Sequence, residues 1–438
     1  MRDTSCSLTS PSADCCLHRR HLTLAILLCG LLGLAPPSSA SDVTISGFVA
    51  VRGAGVQSQP SWREGGFGRL TLGSDAADDE GSYALGKLHV GIDWQPSPFF
   101  GAYVHVAGRA EPGRVEGREV GVIEAYLHAS VSAGQTGSVN FQLGHFILPT
   151  SRENTEFVWA SPYTLTFSAL NTWIGEETRL TGLLTEYEVA TGDQSRVRFG
   201  GSAFGGNDSN GALLAWRGWS MGDRLTAFGE VVPLPPIGSL QPDGAFAAQR
   251  DDGSKPYGDD LDDRIGWSGF LRWQRDERAV IQYTHYDNRG DRELHQGEYA
   301  WRTKFDLLGI ELRPHDNFVL IGEALDGSTG MGDPLTTNVQ ADIETAYLLA
   351  SWNPGRFRAS LRYDTFETVD VDGSGADNNN EDGEAWTFAL FFEPRDALRL
   401  GLEYSSLEAD RPAAAEVGFD PNTDGETLKL ELRYYFDW

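Results

Sequence analysis

The last eleven residues, 428–438, read L-K-L-E-L-R-Y-Y-F-D-W and alternate without a break. Leu428, Leu430, Leu432, Tyr434, Phe436 and Trp438 share one parity; Lys429, Glu431, Arg433, Tyr435 and Asp437 share the other. A period of two is a β-strand with one apolar and one polar face. The length, about 9–11 residues, is what a tilted strand needs to cross a bilayer, and the aromatics gather where such a strand would meet the headgroups. A surface strand of a soluble sandwich alternates too, so the rest of the chain must decide.

All four cysteines (Cys6, Cys15, Cys16 and Cys29) precede residue 30, so no disulfide or thiolate metal site can hold the remainder together. Residues 1–40 read as a secretory signal peptide. Arg19 and Arg20 precede an apolar run at 22–34, and Pro36, Pro37 and the small residues Ser38, Ser39 and Ala40 follow, with cleavage expected after Ala40. The stretch ahead of the apolar run is long and leaves room for a translation start downstream of Met1. Beyond residue 40 no run of 18 apolar residues occurs, so no transmembrane helix is expected. A closed β-barrel is the other way to satisfy backbone polar groups inside a membrane. The 51 Gly, 12 Trp, 14 Tyr and 22 Phe suit strands and turns better than helices.

Alternation recurs at 43–53, 87–94, 100–109, 119–131, 137–147, 177–189, 194–204, 211–220, 223–233, 264–274, 279–288, 300–313, 317–326, 341–352, 356–367, 384–393 and 397–407. With the final strand this predicts about 18 strands, 16 being the neighbouring count. Short turns near 95–98, 132–136, 190–194, 221–222, 275–278, 314–316, 353–355 and 394–396 alternate with connections that are usually longer: 54–83, 110–118, 148–176, 205–210, 234–263, 289–299, 327–340, 368–383 and 408–427. The expected fold is all-β: a closed antiparallel transmembrane β-barrel over residues 41–438, with short turns and both termini on the periplasmic side.

Leader, alternating loop lengths, amphipathic strands and an aromatic last residue together resemble a Gram-negative outer-membrane porin. The resemblance covers nearly all of 41–438 and implies a passive channel for small hydrophilic solutes or ions, in the outer membrane, without enzymatic activity. It also implies a possible homotrimer, contacts with lipid and lipopolysaccharide, and no nucleic-acid partner. Tyr434, Phe436 and Trp438 resemble the signal that such barrels offer to the barrel-assembly machinery. In porins the third extracellular loop folds into the lumen, which here is 148–176 and would place Arg152, Glu153, Glu156, Glu176 and Glu177 near a constriction. The residues of this stretch agree: Phe157, Val158, Trp159, Tyr163, Phe167, Leu170, Trp173 and Ile174 are too apolar for a solvated loop and need a place to pack. The barrel rim or a subunit interface would serve as well.

The polar parity of the last strands supplies Arg358, Arg362, Asp364, Arg399, Glu403, Lys429, Glu431 and Arg433 as lumen residues. The basic members would form a ladder that, opposed by acid on the loop, sorts solutes by charge; mixed-sign pairs that neutralise one another fit the sequence equally. The net charge of −28 argues against a phosphate-selective path. Acid crowds the loops, with Asp251, Asp252, Asp259, Asp260, Asp262 and Asp263 in one of them. In another, Asp370, Asp372, Ser374, Gly375, Asn378 and Glu381 take positions 1, 3, 5, 6, 9 and 12 of an EF-hand-like loop, and Asp420, Asn422, Asp424 and Gly425 echo its start. Acid-rich loops produce such matches easily, and strands rather than helices flank these. No cofactor is expected apart from Ca2+ in these extracellular loops. Neither a G-x-S-x-G turn nor an H-E-x-x-H helix occurs, and the histidines are scattered singly. The runner-up is a barrel that is not a channel, either a lipid-active enzyme or a structural or adhesive surface protein.

Overall fold

The computed structural model describes residues 43–74, 80–110, 119–249 and 253–438. The expected signal peptide at 1–40, Asp251, Asp252 and most of the connection at 110–118 lie outside them. The strands run in chain order as β1 (Val43–Gln57), β2 (Glu80–Ser97), β3 (Phe100–Ala110), β4 (Val120–Ala133), β5 (Gly137–Ile147), β6 (Arg179–Gly192), β7 (Ser195–Gly205), β8 (Gly266–Arg275) and β9 (Ala279–Asp287). A two-stranded hairpin, β10 (Leu294–His295) and β11 (Glu298–Tyr299), is followed by β12 (Arg302–His315), β13 (Phe318–Asp333), β14 (Thr337–Trp352), β15 (Phe357–Asp370), β16 (Glu381–Arg395), β17 (Leu398–Asp410) and β18 (Asn422–Asp437). Apart from the hairpin, each pairs antiparallel with its neighbours, and β1 pairs with β18 from Ser46↔Asp437 to Gln57↔Glu426. The result is a closed barrel of 16 strands.

The burial pattern is inverted relative to a soluble sheet. On β18, Leu430 is 60% exposed and its neighbour Glu431 only 4%. Leu348, Leu361, Leu390, Leu400, Leu402 and Leu428 are likewise exposed outward, while Arg362, Arg399, Glu403 and Arg433 are buried inward. Such a wall is at ease only in a hydrocarbon sleeve around a polar interior. Farther along β12–β16 the outward side turns acidic, with Asp306, Asp326, Glu344, Glu367 and Asp382 each directly opposite the next. Like charges in register cost stability, so this row belongs beyond the apolar band, where water and counter-ions reach it.

The strand count corrects the larger of the two expected numbers. Residues 211–220 and 223–233 are not strands: β7 pairs directly with β8, from Ser195↔Arg275 to Phe204↔Gly266, and the stretch between them leaves the wall. Gly211 and Gly218 sit at φ +97° and +90°, a left-handed backbone that ends a strand at either side of the turn. Between them Leu213–Arg217 winds into a π-helical turn with every side chain buried. Alternation here reflected packing on all sides and not a two-faced strand. Losing two strands keeps the number even, so the expected disposition of the barrel ends is unchanged.

Candidate functional site: the barrel interior

Among the described residues two long segments enter the barrel, and the connection after β1 reaches in beside them with Leu70 and Leu72. The first, 148–178, carries helix α1 (Ala169–Glu176), started by Ser168, whose side chain accepts a bond from the Asn171 N–H. Glu153 anchors it to the wall. It accepts bonds from Arg362 Nη1 of β15 at 2.5 Å, from Thr164, from the Ser168 N–H and from Asn171. Arg362 also donates to Asp364 and to the carbonyls of Thr166 and Phe167. Asp364 accepts the Ala169 N–H at the start of α1, where the helix dipole favours negative charge. Glu403 of β17 accepts the N–H groups of Leu165 and Thr166, and Lys429 of β18 reaches Glu403 at 3.3 Å. Glu156 meets Arg399 at 3.3 Å, Arg433 at 3.5 Å and the Tyr435 hydroxyl at 3.1 Å.

The inward charges of the last strands do not form an uninterrupted basic ladder. Arg399 stands opposite Arg433 in register, but Glu431 accepts from Arg433 at 2.8 Å and from Arg52 of β1 at 2.7 Å, and Glu403 faces Lys429. Arg358 lies over the Tyr163 ring, 5.2 Å from its centre, and donates to Ser351. Among the remaining loop residues, Arg152 is buried beside Gly309 with its Nε unpaired. Glu176 pairs with Arg217 at 2.8 Å, and Glu177 accepts from Trp173, Ser254 and the Leu213 N–H. Burial pushes the Glu177 carboxyl up, and those three bonds offset it in part. These two carboxylates therefore face the second insert rather than the wall.

The second insert, described at 206–249 and 253–265, was invisible as such in the sequence. Leu214, Trp219, Met221 and Leu225 pack with Leu170, Trp173 and Ile174 of the first insert and with Phe305, Ile321 and Ile343 of the wall. Trp216, Ile237, Leu240 and Phe246 pack with Phe67, Trp301 and Ala414 from other connections and with Val339 of β14. Two of its carboxylates are engaged by cations: Asp223 by Arg52 and Lys87 of the wall, and Glu230 by Arg109 of the wall and Arg224 of the insert itself. Beside it Glu381 is held by Arg69 at 2.9 Å and Arg411 at 3.3 Å. Sequence reasoning missed Arg52, Lys87 and Arg109, although each lies on the inward parity of its strand.

Among the described residues, the three carboxylates of the calcium loop, Asp370, Asp372 and Glu381, do not converge on one point. Glu381 turns inward to those arginines, while Asp370 and Asp372 accept N–H groups of their own loop and of Gln340, and Asn378 accepts from Asn380. Ser374 does the same for Ala376. Among the described residues, the carboxylates that do converge, within 4.8 Å, are Asp208, Asp260 and Asp262 of the second insert. Burial, together with the neighbouring Asp262 and Asp260, pushes the Asp208 carboxyl up to about 7 against the Leu261 N–H that it accepts. The histidines are not all single either: His89 and His105 lie 3.0 Å apart on the inner wall. At the other end of the chain, Tyr434 and Trp438 are exposed. Phe436, in register with Gly47, is half-buried.

Wall and inserts define a transmembrane β-barrel with the fold of the outer-membrane porins. The outer-membrane channel DcaP of Acinetobacter baumannii superposes with a TM-score of 0.54 at 12% identity, over 92% of this chain and 100% of that one. An anion-selective porin from Comamonas acidovorans gives 0.51 at 14%, over 90% and 100%, and OmpF of Salmonella typhi 0.50 at 11%, over 90% and 97%. No family model and no curated protein sequence matches the chain.

Proposed function

We propose that the chain is a diffusion channel of the Gram-negative outer membrane for small hydrophilic solutes or ions. Its first insert acts as the constriction and its second narrows the mouth on the loop side. The observation that carries this reading is the meeting of acid on the insert with base on the wall: Glu153 against Arg362, and Glu156 against Arg399 and Arg433. These contact pairs pin the insert against one side of the wall, so that it stays inside the barrel and narrows the passage left beside it. Support also comes from the porin fold of the neighbours and from the outward apolar band, which suits lipid with lipopolysaccharide beyond it. A trimer fits the porin plan.

A second reading, a sealed barrel with a surface or lipid-directed role, is favoured by the apolar core that the two inserts share around Trp173 and Trp219. Single-channel recording of the refolded protein in a planar bilayer, under a salt gradient, separates them. Steady steps with a defined reversal potential are expected. Silence from correctly folded barrel would leave the sealed reading.

A further inference from the structure

On the lumen wall, Arg52 of β1 presents its guanidinium fork to Asp223 of the second insert, Nη1 to Oδ1 at 3.2 Å and Nη2 to Oδ2 at 2.9 Å. Lys87 of β2 adds its ammonium to Oδ1 at 2.6 Å. A planar fork plus a point charge on one carboxylate is how proteins recognise a free carboxylate ligand. The cradle stays oriented without Asp223, because Arg52 also donates to Glu431 through Nε at 3.1 Å and Nη2 at 2.7 Å. Beside the pair lies a cavity of about 20 Å³, lined among others by Thr71, Leu72, Leu85, Thr427 and Lys429, large enough for about one water. The Thr427 hydroxyl is buried there without a hydrogen-bond partner, a polar group of the wall left for a ligand atom. Burial alone would raise the Asp223 carboxyl, yet Arg52 and Lys87 hold it well below the usual carboxylate range, so it stays an anion at any physiological pH.

We propose that Arg52 and Lys87 form a carboxylate-binding site on the channel wall and that Asp223 occupies it as a tethered competitor. Small monocarboxylates are the solutes that displace it. This rests on the channel reading for its role in permeation, but the binding site itself does not need a current to be seen. A tethered group competes at a high effective concentration, so the wild-type site answers weakly to free ligand and strengthens once the tether is cut.

The test is calorimetric titration of acetate into detergent-folded wild type, Asp223→Ala and Asp223→Asn, with fold checked by heat-modifiable electrophoretic mobility and acetamide as the uncharged control. Acetate is expected to bind Asp223→Ala tighter than wild type by about tenfold or more, acetamide not at all, and Asp223→Asn in between. Adding Arg52→Gln to Asp223→Ala should abolish the gain; should the alanine variant fail to fold, the asparagine variant carries the comparison. Equal acetate affinity in wild type and folded variant, or a gain that survives Arg52→Gln, overturns the proposal. Bilayer recordings of the same samples keep the two readings apart. Binding without current would sink the channel and leave the site, whereas current without differential binding would do the reverse.

Discussion

The two inserts occupy the same interior and are held there differently. The first is tied to the wall by charge: Glu153, Glu156 and the N–H groups of Leu165 and Thr166 meet Arg362, Arg399, Arg433 and Glu403 on strands more than 200 residues away. The second is held mainly by apolar packing, on the first insert, on inward side chains of β12–β14 and on other connections. Asp223 is one of its charged grips on the wall, and Glu230 on Arg109 another. A buried ion pair is expensive to break on one side only, whereas a packed aromatic cluster gives way in proportion to the volume removed. The first insert should therefore behave as rigid, and the second should loosen gradually.

Mutations at the anchors would break this contrast. Arg362→Ala strands Glu153 and Asp364 in the interior and should cost about 3–5 kcal/mol, read as a lowered denaturation midpoint and protease cleavage within 148–178. Leu214→Ala should cost about 2–5 kcal/mol and raise cleavage only within 206–265, with the wall unaffected in circular dichroism. If either variant opens both inserts alike, they form one unit and the contrast fails.

Acidity sharpens it further. Asp208, ordinarily ionising near 3.8, reaches about 7 in the fold. The folded state thus holds a proton that the free chain has lost, so the second insert is tightest at low pH and is progressively weakened as pH rises from 3.8 through about 7. Hydrogen exchange around 206–210 should speed up between pH 5 and 8, more than a uniform base-catalysed trend predicts, and Asp208→Asn should flatten that excess. The smallest effect is expected at Glu177→Gln. Its single amide oxygen can serve Trp173 but then leaves the Leu213 N–H facing an NH2 group. Shedding a charge that burial disfavours offsets part of that loss, so stability should fall by about 1 kcal/mol in chemical denaturation.

What could be read from the sequence follows the same division. Wall strands betray themselves because lipid outside and a polar interior inside impose opposite chemistry on alternate residues, so Arg362, Glu403 and Lys429 were placed inward by parity alone. The apolar content of 148–176 marked it as a loop that had to pack. Residues 211–220 and 223–233 carry a similar alternation for another reason, burial on every side, and parity cannot tell the two apart. Gly211, Gly218 and Gly222, with Pro233, Pro235 and Pro236, were the signal against strands. Which carboxylate meets which arginine depends on register and on the path of the inserts, and neither is local.

The seam between β1 and β18 has a consequence for assembly. It joins residues nearly the whole described length apart, the pairing with the greatest loop-closure cost, so it zips late. Arg52 on one lip grips the second insert, and Lys429 on the other reaches Thr166 of the first. A cylinder once closed cannot easily admit sixty residues from its side. Both inserts must therefore be housed while the lips are apart, and their seating helps draw the lips together. Cargo and clasp are one folding event, and a nascent barrel with an ill-seated insert is left with an open, sticky edge that marks it for removal.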